Sequence, residues 1–156
     1  MNHNRRTLLK GTMAASATGL AISAGLLTPK AVLAAWPKEA FEAKDVDAAL
    51  AASQGSSSAS ESNKIKLKAP DIAENGAVVP ITVTSDISGT ETISVLVSKN
   101  AQPLTATFNL GSNTEGYIST RIKMGKTSDV VAVVKAGGKL YSTKKQVKVT
   151  IGGCGG

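Results

Sequence analysis

Histidine and cysteine are almost missing from this sequence, and their scarcity removes whole classes of chemistry. Of 156 residues, one is histidine, His3, and one is cysteine, Cys154. His3 falls in a segment that reads as a removable leader, so the remaining chain has no imidazole. A Cys-His or Ser-His nucleophile pair cannot be assembled within it, and zinc, copper and haem sites that rely on imidazole lose that ligand. One cysteine cannot close an internal disulfide; in an oxidising compartment an odd cysteine points to an intermolecular bond or a free reactive thiol. Aromatic residues make up 3% of the chain, so stacking platforms for nucleic-acid bases are lacking. Long apolar runs are lacking too. Residues 13–27, MAASATGLAISAGLL, are too short and too rich in small polar residues to span a ~30 Å hydrocarbon core.

That weakly apolar stretch follows NRRTLLKG, in which the paired Arg5 and Arg6, then Leu8, Leu9 and Lys10, match a twin-arginine export signal. Val32, Leu33 and Ala34 offer small residues for cleavage before Ala35. The sequence therefore predicts a removed leader over residues 1–34 and an exported protein; the twin-arginine route carries folded cargo, which adds the expectation of folding or partner assembly before export. Removing Arg5, Arg6, Lys10 and Lys30 leaves 14 basic residues against 11 acidic, so the net charge falls from +7 to +3. Much of the basicity belonged to the leader, which argues against nucleic acid as a partner. The roughly 122 residues that remain suffice for one domain with one core.

Residues 36–52, WPKEAFEAKDVDAALAA, carry Pro37 near a first turn, acids early, and Ala43, Val46, Ala49 and Leu50 at helical spacing. They predict one short helix, free to dock on the following domain or on a partner. Residues 53–63, SQGSSSASESN, have no apolar period and read as a flexible connector. From Lys64 onward the period is two: Val79, Ile81 and Val83 alternate with Pro80, Thr82 and Thr84; Ile93, Val95 and Val97 with Ser94 and Ser98; Leu104, Ala106, Phe108 and Leu110 with Thr105, Thr107 and Asn109; and Ile118, Thr120, Ile122 and Met124 with Ser119, Arg121 and Lys123. Residues 64–68, 129–135 and 139–151 complete about seven half-buried strands between turn signals. This pattern predicts a β-sandwich of immunoglobulin type over residues 64–151. Ala136-Gly137-Gly138 reads as a hairpin turn, and Pro80 inside a strand predicts an edge position.

The last strand places Val147, Val149 and Ile151 on one face and then gives way to GGCGG. Gly152, Gly153, Gly155 and Gly156 offer Cys154 no packing partners, but they permit any backbone angle and a minimal cross-section. Three residue steps from Ile151 carry the sulfur on the order of 10 Å from the domain. Residues 152–156 thus read as a swinging arm suited to threading a thiol into another protein's pocket. Nothing in the arm activates the thiol, and a carboxylate at Gly156 disfavours the thiolate, so Cys154 is a poor catalytic group and an adequate attachment point. Arg121 and Lys123 lie on a polar strand face, and Lys144, Lys145 and Lys148 lie near the arm. These cations suit an anionic adduct or a partner's acids, and equally a solvated face or edge protection. Trp36 and Phe41 suit a partner interface or ordinary burial.

Taken together, KIKLKAPDIAENGAVVPITVTSDI, TRIKMGKTSDVVAVVKAGGKLY and the final VKVTIGGCGG resemble SoxY, the family of sulfur-carrier subunits of bacterial thiosulfate-oxidising complexes. The resemblance implies a periplasmic heterodimer with a SoxZ-like companion, in which Cys154 holds sulfur intermediates covalently and the chain itself catalyses nothing and needs no cofactor. It further implies transient partners: a c-type cytochrome that couples thiosulfate to the thiol, a dimanganese hydrolase that releases sulfate, and in some systems a molybdenum-haem sulfane dehydrogenase. Two other readings of the residues stand beside it. One is a secreted binding or structural sandwich whose cysteine only clasps two chains through a disulfide; the other is a cysteine-dependent enzyme, which the missing histidine disfavours.

Overall fold

The period-two alternation becomes two stacked sheets in the computed structural model, which describes residues 37–150. The elements run α1 (Lys38–Glu42), α2 (Val46–Gln54), β1 (Ser60–Glu61), β2 (Ile65–Lys68), β3 (Ile72–Ala73), β4 (Val79–Ser85), β5 (Thr90–Val97), β6 (Leu104–Asn109), β7 (Tyr117–Ile122), β8 (Ser128–Ala136) and β9 (Lys139–Val149). One sheet has the order β1-β9-β8-β5-β6, with β3 also paired to β9; the other is β2-β4-β7. Their inner faces share one core, in which Val79, Ile81, Val83, Ile118 and Ile122 of the small sheet meet Ile93, Val95, Val97, Val130, Ala132, Val134 and Val147 of the large one. The result is a mainly β protein with two small helices, consistent with an immunoglobulin-like sandwich. No helix among the described residues is long and apolar enough to cross a membrane.

The seven expected strands are present, and two further two-residue strands, β1 and β3, bring the described total to nine. Both additions pair in parallel with β9: Ser60 lies opposite Tyr141, and Ile72 opposite Lys148. Two residues are too few to show a period, so only the neighbouring strand reveals them. β1 also corrects the reading of residues 53–63 as a connector throughout, because α2 continues to Gln54 and Ser60 and Glu61 are built into the sheet. The turn between β8 and β9 matches expectation: Gly137 and Gly138 both take positive φ, 56° and 73°, as a two-residue hairpin requires.

The single helix expected over residues 36–52 is two helices. Ala43 turns extended at ψ 147°, and Asp45, at φ −133° and ψ 162°, caps the second helix by accepting the Ala48 N–H at 2.7 Å. An aspartate cap with a free carboxylate outcompetes continuation of the helix. Gly55 closes α2 in the left-handed conformation at φ 81°.

The helices dock on the outer face of the large sheet, where Ala40, Ala49 and Leu50 bury against Leu96, Leu104, Val133 and Leu140. Gln54 adds a 3.0 Å hydrogen bond from its side-chain amide to Ser94 Oγ, and Lys135 Nζ reaches the Gln54 carbonyl at 3.4 Å. Strands β5 and β8 are consequently buried on both faces instead of one, and alternate positions such as Leu96 and Val133 serve a second apolar cluster.

Pro80 also needs a correction, because β4 is the central strand of its sheet. The β2 ladder ends at Lys68 opposite Thr82, so at Pro80 only β7 lies alongside, through Arg121. The proline occupies a local edge within a central strand, which satisfies the same constraint.

Two substitutions test this packing. Leu50→Ala removes the main side chain seating α2, and urea unfolding is expected to show a loss of about 2 to 5 kcal/mol. Earlier proteolytic cutting within residues 37–54 should accompany it. Gly76→Ala places a Cβ into the Met124 carbonyl oxygen and 2.9 Å from Val149 Cγ1. Because the obstacle is backbone, a loss of about 1 to 3 kcal/mol is expected in thermal or urea unfolding.

Candidate functional site

Strand β9 leads to the cysteine-bearing segment, and its last residues are held from both sides. On one edge the Lys148 N–H donates to the Asp71 carbonyl at 2.9 Å, and the Thr150 N–H donates to the Ala73 carbonyl at 3.1 Å. On the other edge the Val149 N–H donates to Thr127 Oγ1 at 3.0 Å, and that hydroxyl in turn lies 3.4 Å from the Val149 carbonyl. Thr127 therefore supplies from its side chain what the β8 ladder, which starts at Ser128 opposite Val147, no longer supplies from backbone. Val147 is fully buried, and Val149 packs against the same core from its margin.

A turn at residues 75–78 closes over this end. The Asn75 side chain accepts the Ala77 N–H at 2.9 Å, and the Met124 N–H donates to the Gly76 carbonyl at 2.7 Å. Absence of a side chain at Gly76 lets the turn lie directly against Met124 and Val149. On the far side Asn100 bridges residues 123–125, donating to the Lys123 carbonyl at 2.8 Å and accepting the Gly125 N–H at 3.0 Å. The end of β9 thus lies on a surface fastened by loops from both sheets.

Cys154 and its neighbours Gly152, Gly153, Gly155 and Gly156 lie outside the described residues, as do Ile151 and Trp36. Among the cations singled out near the arm, Lys145 is committed structurally. Its ammonium donates to the Ala69 carbonyl at 2.6 Å and pairs with Asp71 at 3.0 Å, tying the β2–β3 segment to β9. Lys144 and Lys148 are exposed on the outer face of β9, and Lys144 borders a shallow groove with Ala59, Glu61, Val131 and Ser142. Arg121 and Lys123 are exposed at the end of β7. None of these four takes part in an ion pair among the described residues. Phe41 packs with the helices against the large sheet's outer face.

The sequence predicts a last strand over residues 139–151, whereas β9 ends at Val149 and Ile151 lies outside the described residues; what fastens the end of β9 was missed. Thr127 sits in a polar run, and Ala73 in a segment without period, so neither carried a local signal. Among the described residues no group of three or more histidine, cysteine, aspartate or glutamate side chains is arranged to hold a metal.

Comparison with known proteins extends these observations. The family model for the sulfur oxidation protein SoxY matches residues 50–154, which run from the docked helix through the clamped strand to Cys154. The solved structure of the sulfur carrier protein SoxY from Chlorobium limicola f thiosulfatophilum is similar at 46% sequence identity and a TM-score of 0.63, covering 69% of this chain and 97% of that one. No match was found among curated proteins. A family match over two thirds of the sequence and a carrier structure covered almost whole place this chain in the SoxY family of sulfur oxidation proteins.

Proposed function

We propose that this protein carries sulfur covalently on Cys154 during thiosulfate oxidation and presents it to enzymes that act on it. The observation that carries the reading is the extent of the family match, which includes the whole sandwich and continues into the segment that bears the cysteine. The clamped end of β9 supports it: a fastened origin followed by GGCGG suits a tether whose reach is set by chain length.

The chemistry asked of the chain is small. The Cys154 thiolate and thiosulfate form a sulfur–sulfur bond, giving a cysteine S-thiosulfonate, and two electrons leave to a c-type cytochrome. Water then cleaves the sulfonate as sulfate and two protons in a dimanganese hydrolase, leaving a persulfide on the cysteine. Further oxidation of that sulfane sulfur falls to a sulfane dehydrogenase where one is present. The chain contributes the attachment atom, the glycines at 152, 153, 155 and 156 that let it travel, and the surface that other subunits recognise; it is a substrate carrier and no enzyme. Residues 1–34 serve as the twin-arginine leader, residues 64–151 as the carrier domain and residues 152–156 as the arm. In the periplasm the carrier pairs with a SoxZ-like companion.

Two measurements test this reading. Intact mass of protein isolated from thiosulfate-grown cells is expected to show sulfane or thiosulfonate adducts that vanish on reduction and are missing in Cys154→Ser. A thiol that is always bare would contradict the carrier reading, and a Cys154→Ser variant that keeps thiosulfate oxidation while losing only a covalent dimer would favour the disulfide-clasp alternative. Thr127→Val removes the hydroxyl beside Val149 and costs about 1 kcal/mol locally. Amide exchange at Val149 is expected to quicken about fivefold, with the alkylation rate of Cys154 unchanged.

A further inference from the structure

Three large apolar side chains are exposed among the described residues: Ile72 at 56%, Val78 at 51% and Tyr117 at 54%. Two of them stand at the end from which the cysteine-bearing segment departs. Ile72 lies directly opposite Lys148 in the β3–β9 ladder, with its neighbour Ala73 turned into the core. Val78 follows Gly76 by two residues, and the turn carrying it rests on Val149. Tyr117 belongs to the opposite end, since it pairs with Thr84 while Ile122, at the other end of β7, pairs with Val79. The near end also presents four exposed lysines, Lys99, Lys123, Lys126 and Lys148. Its exposed carboxylates are Asp71, tied to Lys145, and Glu74.

The length of chain beyond Thr150 limits what can cover this end. Four residue steps separate Thr150 from Cys154, about 14 Å when extended. Any catalytic atom that meets the sulfur must come within that distance of a fixed point on the rim. An enzyme that buries the sulfur therefore has to bring the lip of its own cleft onto the residues around Thr150. A companion subunit seated permanently on the same residues would bar the enzymes from the sulfur, so the surface has to stay open between visits. Isolated apolar side chains ringed by charge are what a brief, repeated encounter uses: small contact area for affinity, and long-range attraction for rate.

We infer that the rim formed by Ile72, Val78, Lys126 and Lys148 is the docking surface for the enzymes that process the cysteine-bound sulfur, and that their clefts meet it with an apolar lip flanked by carboxylates. This rests on Cys154 being the carrier atom. The surface commits the orientation of the carrier before the arm enters, and the lysines draw in an acidic cleft.

The test uses the full carrier with its companion subunit, loaded with tetrathionate. Exchange of the Cys154 thiolate with tetrathionate leaves a thiosulfonate on the cysteine and releases thiosulfate, with no other oxidant. Sulfate release by the hydrolase is then followed against carrier concentration. Ile72→Asp and Val78→Asp are each expected to raise KM about tenfold, the size of a moderate interface hot spot, with kcat, melting temperature and companion binding unchanged. The pair Lys126→Glu and Lys148→Glu is expected to raise KM and to flatten its dependence on salt. Tyr117→Asp, at the far end, should leave KM as it is. Unchanged KM in the rim variants would overturn the inference, and so would loss of the companion subunit, which would assign the surface to that subunit instead. A wild-type carrier that loads but is never turned over would remove the carrier reading itself, a result distinct from either.

Discussion

The double-sided hold on the last residues of β9 is the constraint from which the rest of the structure takes its meaning. Fixing a residue's backbone costs about 1–2 kcal/mol. If residues 147–150 frayed, that cost would have to be met whenever the end of β9 was ordered. Here it is met once, during folding, by Asp71, Ala73 and Thr127. The same strand organises the large sheet: β8 pairs along it from Lys139 to Val147, and β1 and β3 grip its opposite edge at two separate places. Loops from both sheets converge on its end, so the position of Thr150 is referenced to the whole sandwich.

Two apolar clusters divide the remaining work. The larger one joins the sheets, and the smaller one seats α1 and α2 on the outside of β5, β8 and β9. Buried polar groups in these strands are answered locally: Ser94 by Gln54 and Thr107, and Ser128 by the Lys99 N–H at 2.9 Å. The helices thus cover one outer face, while the small sheet keeps a polar outer face with Thr82 and Ser119 in hydrogen-bonding distance across the strands. Apolar exposure is thereby confined to a few positions, and two of them border the site.

Most of the sandwich was legible in the sequence because several of its strands, β4, β6 and β7 among them, alternate with a period of two, and a hairpin with two adjacent glycines at Gly137 and Gly138 announces itself. The break at Ala43 to Asp45 was not, since alanine-rich flanks favour a continuous helix and only the capping bond of Asp45 ends it. The two-sided burial of Leu96 and Val133 was legible in part, since residues 95–97 and 130–134 are unbroken apolar runs of the kind that strands buried on both faces carry, but nothing local says that α1 and α2 cover the second face. The pairings of Ser60 and Ile72 with β9 are tertiary events with no local pattern. The cysteine segment was the opposite case. It stood out by composition, one thiol among four glycines, whereas Thr127 and Ala73 became meaningful only when folding brought them to the strand.

The most direct test of a fixed root bearing a deliverable sulfur is the rate at which a small alkylating reagent modifies Cys154 in the native protein, compared with the same protein in denaturant. The expected result is a native rate within a few-fold of the denatured rate, as an unhindered thiol gives. A native rate suppressed by orders of magnitude, restored on unfolding, would mean that the thiol is enclosed by its own domain and would contradict the carrier role.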